Sequence, residues 1–167
     1  LIYMTDGGLN VSPNLKQKKA ILQNAVEFLQ AIGMDQPKVA VLAANEKVDP
    51  KIQSTVDAAA LKVKALQGEI PGAVVDGPVA LDIAVNYEAA VHKGIDSPIA
   101  GKADLLMVPN IEAGNILGKA IIYFALGKMA GLVLGARKPI ILTSRNEPAY
   151  GKMASIALAA YSIVRNR

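Results

Sequence analysis

The chain has 167 residues, 52% of them apolar, 19% charged and only 4% aromatic, with no tryptophan, no cysteine and a formal charge of +4. That length and apolar content suit one domain, or one domain and part of another, with a core of Ala, Val, Ile and Leu; the lack of cysteine rules out disulfides, thiolate zinc sites and a cysteine nucleophile in this chain. Scattered lysines and few aromatics argue against nucleic-acid binding, no apolar run approaches the roughly 18 residues of a membrane span, and the mild basic charge suits attraction of a polyanionic small molecule.

In chain order, strands and helices alternate. Leu1–Thr5 reads as a strand, ending in Asp6-Gly7-Gly8. It has no initiator Met before it, so the chain is expected to be a segment of a longer polypeptide; no signal peptide is visible, and a cytoplasmic location is expected. Ser12-Pro13 supplies an N-cap and first-turn proline for a helix carrying Ile21, Ala25, Phe28, Leu29 and Ile32 on one face and stopping at Gly33. Lys38–Ala43 is the next strand. Asp49-Pro50 caps a helix that runs to Gly68, and a short strand Ala73–Val75 leads into Asp76-Gly77-Pro78. A helix over about Ala80 to His92 follows, then a loop at Gly94–Lys102.

Leu105–Val108 is four consecutive apolar residues, the pattern of a strand covered on both faces, as in a parallel sheet. Pro109 ends it, and Asn110, Glu112, Gly114 and Asn115 stand where a helix begins, near Ala113. A helix N-terminus has unpaired N–H groups and the positive end of a dipole, so it suits phosphate and other anions. Lys119 lies four residues beyond Asn115, on the same helix face. Gly131–Leu134 and Pro139–Thr143 are two strands joined by a short connection through Arg137-Lys138, which suggests an antiparallel pair; Ser144-Arg145 ends the second, and a helix runs from about Tyr150 to Val164.

The expected fold is therefore α/β, three layers α/β/α with a mixed, mostly parallel sheet. Asp6, Asn45, Asp76, Asn110 and Ser144 each fall just past the carboxyl end of an apolar strand, where open α/β sheets bind ligands. Each could equally cap the next helix, but the pairing of Asn110–Lys119 with Ser144-Arg145 points to ligand contact.

At these residues the chain resembles the carboxyl-terminal part of the phosphate acetyltransferase and phosphate butyryltransferase family. The motifs are Thr5-Asp6-Gly7-Gly8-Leu9-Asn10-Val11-Ser12-Pro13-Asn14, Gln23-Asn24-Ala25-Val26, Asp76-Gly77-Pro78-Val79-Ala80-Leu81-Asp82, Ala103 to Pro109, Glu112-Ala113-Gly114-Asn115 with Lys119, and Lys138 to Arg145. They span nearly the whole chain in order and spacing, and the butyryltransferase branch looks closer, through Val-Pro-Asn-Ile-Glu-Ala-Gly-Asn and the Asn-Val-Ser-Pro start.

The resemblance implies an isocitrate/isopropylmalate dehydrogenase-like, two-domain enzyme with its site in the interdomain cleft. Residues 1–137 would be the second domain, and residues 138–167 a strand and helix returning to a first domain whose N-terminal part is absent here. The implied reaction is reversible transfer of a butyryl or similar short acyl group between coenzyme A and inorganic phosphate, with coenzyme A as substrate and no permanently bound cofactor or metal. Ser144 and Arg145 would contact the coenzyme and the reacting acyl group; Asn115 and Lys119 would bind phosphate, with Asn110, Glu112 and Asp76 as further substrate contacts. A homodimer is implied, with the apolar Ile121-Ile122-Tyr123-Phe124 run as one candidate contact and burial within its own sheet as the other.

Two departures from the family pattern stand out. The aspartate that the acetyltransferase branch carries seven residues beyond the serine, proposed there as a base, is Gly151 here; Glu147 or a residue outside this chain would then take the part. The aromatic residue that often precedes the motif lysine is Gly118, which would widen the pocket for a longer acyl chain. The loss at 151 leaves open a second reading, a non-catalytic acyl-CoA-binding regulatory module of the same fold. Other readings are weaker. His92 sits near a helix end, a surface position that suits the helix dipole. Asp76, Asp82, Asp96 and Asp104 lack metal-ligand spacing on one element, and the glycines from 127 to 135 lack the G-x-G-x-x-G order of a dinucleotide site.

Overall fold

The computed structural model describes residues 1–165; the last two residues of the segment expected at 138–167 lie outside the described residues. Four strands, β1 (Tyr3–Thr5), β2 (Lys38–Leu42), β3 (Val74–Val79) and β4 (Leu105–Met107), form a sheet in the order β1-β4-β2-β3, with every neighbouring pair parallel. The helices are α1 (Leu15–Ala31), α2 (Gln53–Leu66), α3 (Leu81–Val85), α4 (Tyr87–Lys93), α5 (Ile111–Phe124) and α6 (Ala149–Arg165).

Strand alternation divides the core into two. Val39, Val41, Val75, Leu105 and Met107 face α1 and α2, meeting Leu22, Val26, Leu29, Ala58 and Leu61. Ala40, Leu42, Val79, Leu106 and Val108 face the opposite side, against Ile83, Ala84, Ala90 and Ile99, with Ala113 and Leu117 of α5 at the margin. This is the three-layer arrangement expected from the alternation of strands and helices along the chain. Each buried leucine side chain contributes on the order of 1.5–3 kcal/mol. β4 has partners on both sides and all three of its residues are buried, the reason its sequence is uninterruptedly apolar.

Several boundaries differ from the sequence reading. α1 starts at Leu15, not at Ser12-Pro13, because Asn14 and Gln17 form a reciprocal cap: Gln17 N donates to Asn14 Oδ1 at 3.0 Å and Asn14 N to Gln17 Oε1 at 2.9 Å. β3 continues through Gly77-Pro78 to Val79. A proline is tolerated there because β3 is the edge strand and Pro78 has no N–H to leave unpaired. Gly77 is needed where β3 closes on β2, since a Cβ would lie 2.9 Å from both Val41 Cβ and Val41 O. The helix expected over 80–92 is broken at Asn86, which is extended and caps α4 by accepting from Glu88 N at 2.9 Å. His92 lies in the last turn of α4 and is exposed.

The mixed sheet is also corrected. The antiparallel pair exists, as β5 (Leu132–Val133) with β6 (Ile140–Ile141), but it is a separate two-stranded ribbon, and the main sheet is wholly parallel. Each of its strands is two residues long, and neither is buried. α6 follows the ribbon, docked by Ser155, whose buried hydroxyl donates to Gly151 O at 2.8 Å and accepts from Gly131 N at 3.0 Å.

Candidate active site

The parallel order brings the carboxyl ends of β1 and β4 side by side, so the loop after β1 meets the start of α5. Asp6 organises that loop. Its Oδ1 accepts from Gly8 N at 2.9 Å and Leu9 N at 3.0 Å, and its Oδ2 accepts from Asn10 N at 2.9 Å and Asn10 Nδ2 at 2.6 Å. Burial alone would raise the carboxyl, but these four hydrogen bonds outweigh it and hold Asp6 below the usual carboxylate range. The loop then rests on α5 backbone to backbone, at Gly7 and Gly114.

Asn110 is the N-cap of α5; its side chain accepts from Ala113 N at 3.0 Å, while Ile111 N donates to Val11 O at 3.1 Å. α5 thus starts at Ile111, two residues before the position expected from sequence. Its free N–H groups, read from sequence as an anion seat, are largely taken by the chain itself. What stays open is the outer face. Glu112, Asn115 and Lys119, spaced three and four residues apart on α5, are all exposed. Gly118 faces the other way: it is buried, and a Cβ there would meet Met129 Cε at 3.3 Å and Met4 Cε at 3.5 Å. Its missing side chain leaves room for the side chains of Met4 and Met129, both partly buried.

Asp76 lies within β3 and is 5% exposed. Lys62 Nζ is 2.6 Å from its Oδ1, Ser97 Oγ donates to its Oδ2 at 2.5 Å, and Gly77 N donates to Oδ1 at 2.8 Å. Asp104 is spent similarly: its Oδ2 accepts from Lys38 N at 2.8 Å, tying β4 to β2. Asp82 holds Lys93 at 2.9 Å, and that hydrogen bond lowers its pKa.

Ser144 and Arg145 lie in the turn between β6 and α6, and both are exposed. The turn is closed by Glu147 N donating to Ser144 O at 3.0 Å. Among the described residues, the side chains of Asn115, Lys119, Ser144 and Arg145 make no hydrogen bond or ion pair, and no hydrogen bond joins the α5 pair to the Ser144-Arg145 turn. A groove of about 660 Å³ runs between α1, the β5–β6 ribbon and α6, lined by Phe28, Leu134, Arg137 and Lys138 among others. None of the residues singled out from sequence as a site lines it. Sequence reasoning ranked Asp6 only among the strand-end polar residues; the signal for its part was the Asp-Gly-Gly-x-Asn spacing, which supplies three backbone N–H groups and an amide within four residues.

A family model described as phosphate acetyl/butaryl transferase matches residues 1–160. The chain belongs to that family. It is 51% identical, over 95% of its length and 53% of the relative's, to a protein of Bacillus subtilis named "Probable phosphate butyryltransferase". It is 48% identical to a phosphate acetyltransferase of Rhizobium meliloti, over 99% of this chain and 52% of that protein. The crystal structure of a branched-chain phosphotransacylase from Enterococcus faecalis superimposes with a TM-score of 0.88 at 36% identity, covering 96% of this chain and 57% of that one. The chain spans about half the length of the curated relatives it matches.

Proposed function

We propose that the polypeptide carrying this segment is an enzyme that transfers a short-chain acyl group, butyryl or similar, reversibly between coenzyme A and inorganic phosphate. The observation that carries this reading is selective exposure. Asp6, Asp76, Asp104 and Asn110 are all spent on hydrogen bonds within the chain. Asn115, Lys119, Ser144 and Arg145 are instead left open to solvent without partners among the described residues. Two donors on one helix face and a serine–arginine turn are what an anionic phosphate and a developing oxyanion require. The names of the relatives support the same chemistry.

In this reading Lys119 and Asn115 hold phosphate or acyl phosphate. Arg145 offsets the charge that develops on the acyl oxygen, and Ser144 donates a hydrogen bond beside it. Glu112 orients the α5 face. Asn110 and Asp76 act through position, Asn110 by fixing the start of α5 and Asp76 by holding Lys62, Ser97 and Gly77 N from within β3. Coenzyme A is a substrate, and no resident metal or cofactor is invoked. The non-catalytic acyl-CoA-binding module rests on the missing side chain at Gly151.

The domain arrangement is part of the proposal. Residues 1–137 form the second domain of an isocitrate dehydrogenase-like pair, and the segment from 138 returns to a first domain formed mainly by the other half of the polypeptide. Leu142, Met153, Ile156 and Val164 support this, being apolar and 49%, 67%, 56% and 71% exposed on the returning segment. Met153→Glu in the full-length protein should then lower its melting temperature by several degrees; an unchanged value would remove that interface. Tyr123 and Phe124, 66% and 90% exposed at the end of α5, are the proposed homodimer contact, and Phe124→Glu should give monomers by light scattering. Residues 1–167 alone should fold without turning over substrate.

The deciding experiment measures phosphate-dependent release of coenzyme A from butyryl-CoA and acetyl-CoA by the full-length protein beside Arg145→Ala. Turnover that prefers butyryl-CoA and falls about 100-fold or more in the variant is expected from loss of an oxyanion donor. Coenzyme binding without turnover in the wild type would select the regulatory module.

A further inference from the structure

The loop after β1 keeps its polar side chains to itself and presents its apolar ones. Asn10 donates to Asp6, which also accepts three N–H groups of the loop, and Pro13 is buried. Leu9 and Val11, on either side of Asn10, are 57% and 64% exposed. Their backbone is fixed: Leu9 N donates to Asp6 Oδ1 at 3.0 Å, and Val11 O accepts from Ile111 N at 3.1 Å in the first turn of α5. Gly7 meets Gly114, the residue before Asn115, backbone to backbone. The loop therefore sets two apolar residues beside the start of the helix face that carries Asn115 and Lys119. At about 100° per residue, Ile111 and Gly114 lie to one side of Asn115 and Ile116 to the other; Ile116 is exposed as well. Apolar side chains fixed around a few donors complement a ligand with an anionic head and a short hydrocarbon tail. An acyl phosphate has that form. Gly118, the position at which the sequence suggested selection for chain length, is buried; Leu9 and Val11 are open.

We infer that Leu9 and Val11 form the seat for the hydrocarbon tail of the acyl group and so set the preference for butyryl over acetyl; this rests on the acyltransferase reading above. Asn115 and Lys119 hold the phosphate end, and the tail beyond the carbonyl carbon lies against the loop. Each methylene taken out of water against these side chains favours the bound state about fourfold. Butyryl carries two more methylenes than acetyl, so the seat is worth about tenfold in selectivity between them.

The test measures phosphate-dependent release of coenzyme A from acetyl-, propionyl- and butyryl-CoA by the full-length protein beside the double variant Leu9→Asn/Val11→Thr. Both substitutions nearly keep side-chain size while removing hydrocarbon surface, and at exposed positions they should move the melting temperature by no more than about a degree or two. The ratio of kcat/KM for butyryl-CoA to that for acetyl-CoA should fall about tenfold in the variant, with propionyl-CoA between. A ratio within about threefold of wild type overturns the inference and leaves the acyltransferase reading standing. An equal loss on all three substrates, with a lowered melting temperature, also overturns it and assigns Leu9 and Val11 to a contact with the rest of the polypeptide. A wild type that turns over none of the three overturns both.

Discussion

Gly7 and Gly114 meet backbone to backbone: a Cβ on Gly114 would lie 2.5 Å from Gly7 Cα, and one on Gly7 would lie 2.9 Å from the Gly114 carbonyl carbon. The contact presses the Asp6 loop onto the first turns of α5, the helix that carries Asn115 and Lys119. Gly114→Ala should therefore reverse the usual sign of the exchange. Alanine in a helix interior ordinarily stabilises by about 0.5–1 kcal/mol, whereas overpacking here should cost about 1–3 kcal/mol. Urea denaturation of the two proteins checks this, and a more stable Gly114→Ala would show that the loop is not seated on α5.

Asp6 links folding to pH. Its carboxyl is held below its usual value in the fold, so the charged form favours the native state. That contribution is present above the unfolded value of about 4 and is lost as pH falls through the folded one. Asp6→Asn should cost about 1 kcal/mol at pH 7, after discounting for its partial exposure. The gap from wild type should close as pH drops below about 4. Melting curves at several pH values decide it; a gap independent of pH would mean that the ionised form has no special part.

Lys18 and Asp57 join α1 to α2 through a buried ion pair, 2.7 Å long, with side chains 8% and 9% exposed; Gln53 Nε2 donates to the other carboxylate oxygen at 2.9 Å. Removing either partner alone strands a buried charge and should cost about 3–5 kcal/mol. Lys18→Met with Asp57→Leu should recover most of that loss. A double variant as unstable as the singles would point to packing, not charge.

Lys119 is exposed and makes no hydrogen bond or ion pair among the described residues, so Lys119→Ala should leave the melting temperature within about a degree or two. In the full-length protein it should raise KM for phosphate about 10- to 100-fold, the loss of one charge-assisted hydrogen bond. Equal phosphate KM in the two proteins would take Lys119 out of the site.

Local pattern alone determined much about this protein. The uninterrupted Leu105–Val108 run marked a strand covered on both faces, and it is the interior strand β4. Helical periodicity located α1, α2 and α6, and the spacing of Asn115 and Lys119 placed them on one face of α5. These features follow from burial and backbone capping within a few residues, so they are written in the neighbouring letters.

The tertiary structure decided which polar groups are spent and which remain free. Asp76 reads in sequence like any other strand-end polar residue and Asp104 like any other acid; only the partners brought by Lys62, Ser97 and Lys38 commit them. The break at Asn86, the run of β3 through Pro78 and the separation of the β5–β6 ribbon depend on edge position and on what lies opposite, which no local window contains. Gly118 packs against Met4, 114 residues earlier in the chain. Periodicity records how deeply a side chain is buried; its partner is set by the strand order β1-β4-β2-β3 and the helices laid across it.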